Sequence, residues 1–144
     1  MPSVIQKKSY NSVQVFWLNK ILLEEKIFSA VKELTINCPE IQRVILFGSV
    51  AKSRETVASD VDILIEVEES KERFIDRPLP FKDFFKEVDL SLDLFVYTQE
   101  EIERRNIPLV NTVLREGKVL LDRRNQKVDV RNQKEEVRAR RKDG

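Results

Sequence analysis

The sequence has no histidine, one cysteine, three glycines and one tryptophan in 144 residues. Without histidine there is no imidazole general base, no Ser-His-Asp triad and no His-ligated zinc. A single Cys38 permits no intrachain disulfide and no thiolate cluster for zinc or iron–sulfur. Set before Pro39 at an element boundary, it reads as a small buried apolar residue. No apolar run approaches roughly 18 residues and no signal peptide is recognisable, so the chain is expected to be soluble and cytoplasmic, with no membrane contact.

What is present is charge. Charged residues make up 35% of the chain against 41% hydrophobic, a balance that suits one core under a heavily charged surface. The net charge of +1 hides an asymmetry, because residues 123–144 hold nine Lys/Arg against four Asp/Glu. The body is mildly acidic and the tail is basic. RNQK occurs at Arg124–Lys127 and again at Arg131–Lys134, with Val130 and Val137 on the same seven-residue period. So few apolar residues build no core, so 123–144 reads as a disordered tail or a marginal helix. A basic tail suits RNA or an acidic partner, but this one has no Phe, Tyr or Trp on which bases would stack. The division expected is an N-terminal extension over 1–19, a folded domain over 20–122 and the basic tail over 123–144.

Hydrophobic spacing supplies the elements. Val13, Val15 and Trp17 alternate like a strand, while Phe16-Trp17-Leu18 equally suits a cap on the next helix. Leu23, Ile27, Val31 and Leu34 recur at three and four, which predicts a helix over Lys20–Leu34. Arg43–Phe47 reads as a buried strand, Val50–Glu55 as a helical turn, and Asp60–Val67 as a second strand. A charged loop with Pro78 and Pro80 follows. Then come a brief helix at Phe81–Val88, a third strand at Ser91–Tyr97, and a helix opened by the capping box Thr98-Gln99-Glu100-Glu101. Leu109–Arg115 is amphipathic and ends at Gly117 as a C-cap, and Lys118–Leu121 adds a last strand. The fold class is α+β, a small mixed sheet packed against helices.

One stretch departs from this ordinary grammar. In LFGSVAKSRETVASDVDILIEV, residues 46–67, a buried strand opens with Asp60-Val61-Asp62. Residues i and i+2 of a strand share a face, so the two carboxylates lie about 7 Å apart, while Val61, Ile63, Ile65 and Val67 face the core. Unpaired, such charges would be expensive to desolvate. A cation between them resolves this, and a hard oxygen donor set points to Mg²⁺ or Mn²⁺. The Gly48-Ser49 turn is the complement: glycine permits close backbone approach, free N–H groups suit phosphate oxygens, and Ser49 adds a hydroxyl. Together these are equipment for metal-assisted phosphoryl or nucleotidyl transfer. Each residue also has a plainer reading. Ser49 alone would be a helix N-cap, and Lys52 and Arg54 alone would be surface charges. Asp93, within SLDLFVY, could pair with a cation across the sheet.

Gly48-Ser49, ten residues, then Asp60-Val61-Asp62 resembles the G-S-x10-D-x-D signature of the nucleotidyltransferase superfamily that includes DNA polymerase beta. The short chain is similar to its minimal nucleotidyltransferases (MNT), often the antitoxin halves of HEPN/MNT pairs. The resemblance spans roughly Ile21–Asp122. It implies the nucleotidyltransferase fold, a third carboxylate on a neighbouring strand at Asp93 (Asp89 being the rival), and two Mg²⁺ ions. Asp60 and Asp62 would hold the metal, and Asp93 would bind one ion and help deprotonate the attacking hydroxyl. Gly48 and Ser49 would hold the phosphates of ATP or another NTP. Where many relatives read G-S-x-A-R-G, this chain has Val50-Ala51-Lys52-Ser53 after the pair. Lys52 keeps the charge without the bidentate fork of Arg, and Arg54 is the candidate substitute. No acceptor-binding domain fits in this length, so the resemblance implies a partner chain, with a hydroxyl of a HEPN toxin as acceptor and antitoxin action as the outcome. The alternative is a non-catalytic module that neutralises its partner by complex formation. An RNA acceptor is weaker, and oligomeric state is left open.

Overall fold

The computed structural model describes residues 3–52 and 60–124, with Val15 as backbone only. Strands β1 (Ile5–Tyr10) and β2 (Val13–Leu18) form an antiparallel hairpin. Its two turn residues, Asn11 and Ser12, both have positive φ, 44° and 74°, the twist that suits a two-residue hairpin loop. Of the two readings of this segment, the strand is the one realised. Its base is rooted in the domain: Val4 is fully buried, Ile5 and Leu18 pack on the core, and Asn19 N–H donates to Val4 O at 2.8 Å.

Helix α1 (Lys20–Asn37) opens where Asn19 Oδ1 accepts from Leu22 N–H at 3.1 Å, satisfying one of the free donors of a helix start. It buries Leu23, Ile27, Ala30, Val31 and Leu34, the stripe its spacing dictates. It stops at Cys38, the residue before Pro39, where helical backbone is disfavoured; Cys38 is half-buried.

A four-stranded sheet in the order β5-β4-β3-β6 carries the rest. Strand β3 (Ile41–Phe47) runs antiparallel to β4 (Val61–Val67) and to β6 (Lys118–Asp122), whereas β4 is parallel to β5 (Leu92–Thr98). Parallel neighbours need a crossover. Residues 68–91 provide it, with a 3-10 turn at Phe74–Asp76, helix α3 at Leu79–Lys82 and a second 3-10 turn at Asp83–Val88. The expected helix at Phe81–Val88 thus starts earlier and tightens midway. On one face, α1 and the second turn cover Val44, Leu46, Ile63, Ile65 and Val96. On the other, helix α5 (Pro108–Glu116) sets Val110 and Val113 on Ile45 and Leu64.

Helix α4 (Gln99–Arg104) has its capping box, with Glu101 N–H on Thr98 Oγ1 at 3.2 Å and Thr98 N–H on Glu101 Oε1 at 2.8 Å. Gly117 caps α5 with φ −75° rather than a left-handed angle. Glycine stands there because a Cβ would come within 2.5 Å of Ile45 Cγ2. Helix α2 (Gly48–Ala51) begins at Gly48 itself, two residues before the expected turn, and Ser53–Glu55 fall outside the described residues. Among the described residues, no helix is long and apolar enough to cross a membrane.

Candidate active site

Hydrogen-bond register turns the sheet face under α5 into three rows. The first is Phe47, Asp62 and Asp93; the second is Ile45, Leu64 and Phe95; the third is Arg43, Glu66 and Tyr97. The same alternation that sends Ile63 and Ile65 into the main core leaves Asp62 and Asp93 as cross-strand neighbours at one end. Asp60 sits just ahead of β4 and is exposed, as is Asp93, while Asp62 is half-buried. Val61 N–H donates to Ser91 O at 2.7 Å, which ties the starts of β4 and β5 together and fixes the register of the pair.

Burial pushes the Asp62 carboxyl above the usual carboxylate range, and the charge of Asp93, the charge of Asp60 and a hydrogen bond with Asp93 push it further. Every neighbour named is itself acidic. Among the described residues no Lys or Arg forms an ion pair with Asp60, Asp62 or Asp93; Asp89, the rival third carboxylate, is instead paired with Lys26 at 3.2 Å. Like charges held together in this way lose their penalty when a cation joins them. Among the described residues, no three acidic or thiol side chains form a ready-made cage for one ion.

Gly48 bounds the site on the β3 side. Its φ is +76°, and a Cβ built there would overlap the Asp62 carboxylate, meeting Cγ at 3.2 Å. Only glycine satisfies both the left-handed backbone and this approach. Ser49, exposed, follows it, and buried Val50 roots the turn in the core. Lys52 lies at the end of α2, with its N–H on Gly48 O at 3.2 Å. Its Nζ is directed at Glu116 Oε2 of α5, 3.3 Å away. Arg54 lies outside the described residues. The structure therefore brings Gly48, Ser49, Asp62 and Asp93 together with Asp60 beside them, and engages Lys52 elsewhere.

Residues 29–127 match the family model described as Polymerase beta, Nucleotidyltransferase. The chain belongs to this nucleotidyltransferase family. As a member, it catalyses nucleotidyl transfer, and its mixed α+β fold is that of its structural neighbours. One is a provisionally assigned nucleotidyltransferase from Sulfolobus solfataricus, with TM-score 0.54 and 23% identity over 72% of this chain and 84% of that one. A chain of a toxin–antitoxin complex determined with AMP-PNP gives TM-score 0.53 and 23% identity over 83% and 92%. A chain of the toxin–antitoxin MntA-HpeT carrying two Asp-to-Glu substitutions gives 0.51 and 21% over 83% and 92%. Comparison with curated proteins found no match.

Two features of this nucleotidyltransferase were not read from the sequence. Glu116, which engages Lys52, lies 64 positions along the chain and only the fold makes them neighbours. Arg43 and Glu66 form a buried ion pair, Nε to Oε1 at 2.6 Å, with Glu66 only 1% exposed. An Arg and a Glu, each within a largely apolar strand, were the available signal.

Proposed function

We propose that the chain transfers a nucleoside monophosphate from Mg-ATP to a hydroxyl on a partner protein, a toxin of the HEPN class, and so acts as an antitoxin. The observation that carries this reading is the cross-strand pair Asp62 and Asp93, with Asp62 set directly against Gly48 and its left-handed backbone. Residues 20–122 are the catalytic unit in this reading, with 1–19 and 123–144 as additions.

Asp60 and Asp62 would hold two Mg²⁺ ions, and Asp93 would contribute to one of them. When bound, the metal supplies charge neutralisation and polarises the phosphate oxygens. Gly48 lets the turn lie close against Asp62, and Ser49 donates its hydroxyl to a phosphate oxygen. Lys52 reaches the phosphates by leaving Glu116, an exchange between two exposed partners that costs little; Arg54 is a second candidate. Asp93 accepts the proton of the acceptor hydroxyl. The acceptor oxygen bonds to the α-phosphorus, the bond from that phosphorus to the bridging oxygen breaks, and pyrophosphate leaves.

Three things support this: the family, the geometry of the carboxylates, and the likeness in fold to a toxin–antitoxin complex holding AMP-PNP, an ATP analogue. The test is incubation with ATP labelled at the α- or the γ-phosphate, Mg²⁺ and the candidate toxin, with Asp60→Asn alongside. α-Label on the toxin, absent with the variant, is the expected result. γ-Label would mean a kinase reaction and refute it. Neutralisation of the toxin that survives Asp60→Asn without labelling would mean a binding module.

A further inference from the structure

Between α1 and the 3-10 turn at Asp83–Val88 runs a groove of about 550 Å³. Leu22, Ala30, Phe84 and Val88 give it an apolar floor of buried and half-buried side chains. Glu25, Glu33, Asp83 and Glu87 stand along it, all exposed. Among the described residues none of these four carboxylates forms an ion pair. Of the two lysines that line the groove, Lys26 is turned to Asp89, 3.2 Å away, so negative charge is in surplus there. The other acid-rich hollow, at Glu68, Glu69, Glu100 and Glu101, differs in this respect. Arg77, Arg104 and Arg105 already line it, each paired with Glu100 or Glu101. An apolar floor between uncompensated carboxylates fits a segment that is both basic and apolar.

The chain itself carries such a segment. Residues 125–144 hold seven Lys/Arg against four Asp/Glu, with Val128, Val130 and Val137 among them. The segment also departs from beside the groove. Arg123 donates its N–H to Gln42 O at 2.7 Å and Nη2 to Cys38 O at 2.9 Å, which fixes the end of β6 at the C-terminal end of α1. Glu33 lies about 7–8 Å back along the helix from Cys38, and Leu22 about 16 Å further. Residues 125–144 span up to about 66 Å when extended, so the whole groove is within reach. A segment tethered so close meets it at an effective concentration on the order of millimolar, enough for weak contacts to fill it.

We propose that this groove is the docking site of the chain's own basic segment, residues 125–144. Its Lys and Arg side chains meet Glu25, Glu33, Asp83 and Glu87, and its valines meet Leu22 and Phe84. The groove is on the α1 face of the sheet, whereas Asp62 and Asp93 are on the face under α5. The docked segment therefore leaves the carboxylates open, and the proposal stands apart from the transfer reading.

The test is paramagnetic broadening of amide NMR signals in the full chain. A nitroxide is attached at Ala139→Cys in a Cys38→Ser background, which leaves a single thiol. The amides of Ser29, Ala30, Glu33 and Val88 are expected to broaden, and those of Asn111 and Leu114 on α5 to stay sharp. Glu33→Lys/Glu87→Lys changes two exposed positions and should cut the broadening about ten-fold, because attraction becomes repulsion at both. Val130→Ser/Val137→Ser lies in the segment, leaves the groove untouched, and should weaken the broadening as well. No selective broadening at the groove, or broadening unchanged in both variants, overturns the proposal. So does broadening at Asp62 and Asp93 in place of the groove. Broadening of an isotope-labelled chain by a separate nitroxide-bearing chain would mean that a second copy's segment fills the groove, and overturns it equally.

Discussion

Gly48→Ala is the most informative single change in this protein. The residue's φ of +76° places it where an L side chain is strained, which costs about 1–2 kcal/mol. The added methyl would also overlap Asp62 Oδ2, and relief requires the carboxylate to leave its place beside Gly48. Summed, the loss is about 2–3 kcal/mol, or a fall in Tm of about 5–10 °C for a chain of this size. Activity should fall further than stability, because displacing a positioned group by about 1 Å can cost 10²-fold in rate. The control is Gly117→Ala, whose Cβ would meet Ile45 Cγ2 at 2.5 Å and Val113 O at 2.6 Å with an ordinary φ. It overpacks the core by about 1–3 kcal/mol away from the carboxylates. Thermal unfolding and α-label transfer, measured on both variants well below their midpoints, separate the two effects. Gly48→Ala should lose transfer about 10²-fold while folded, and Gly117→Ala should retain it. A folded Gly48→Ala protein with wild-type transfer would refute the argument that Gly48 and Asp62 share one site.

Asp62→Asn should raise Tm in EDTA, because it removes a carboxylate that is both desolvated and repelled by Asp93 and Asp60. Mg²⁺ should then stabilise the wild type and leave the variant unchanged; equal Tm values in EDTA would argue against the repulsion. Glu66→Ala leaves Arg43 charged and buried and should cost about 3–5 kcal/mol, read as a lower urea midpoint at constant slope. Burial acts to raise the Glu101 carboxyl, but the Thr98 N–H and the Arg77 guanidinium hold it below its ordinary value of 4.5. A lowered folded value contributes stability above 4.5 that is lost as pH falls through the folded value. The Tm gap between wild type and Glu101→Gln should therefore be constant above about pH 5.5 and narrow below 4.5; a gap that widens in acid would contradict this.

The site was legible where side-chain period alone decides geometry. Asp60 and Asp62 declare a shared face two residues apart, and Asp93 stands alone in an apolar strand, so its arrival opposite Asp62 needed only that the strands be neighbours. The capping box at Thr98 and the stripe of α1 were legible for the same local reason. What escaped was set by distance in sequence. Nothing near Lys52 marks Glu116, and nothing near Gly117 marks the methyl of Ile45 that excludes a side chain there. Glu66 was hidden differently: on a strand buried on both faces, alternation no longer separates core from solvent, and a charge two residues from Leu64 reads as exposed until Arg43 is seen beside it. The strand–helix ambiguity before Asn19 was real, because six residues of VQVFWL suit either element.

The order β5-β4-β3-β6 puts the third carboxylate on an edge. Asp62 is held by hydrogen-bonded neighbours on both sides, whereas Asp93 is tethered through one, across a crossover that spans residues 68–91. With a hydrogen-bonded neighbour on one side only, β5 is open to local unfolding while β4 stays paired with β3. A molecule that has lost only β5 no longer has Asp93, the carboxylate proposed as base. Catalytic competence in this protein is thus a more demanding condition than being folded, and amide exchange along β5 would report the difference.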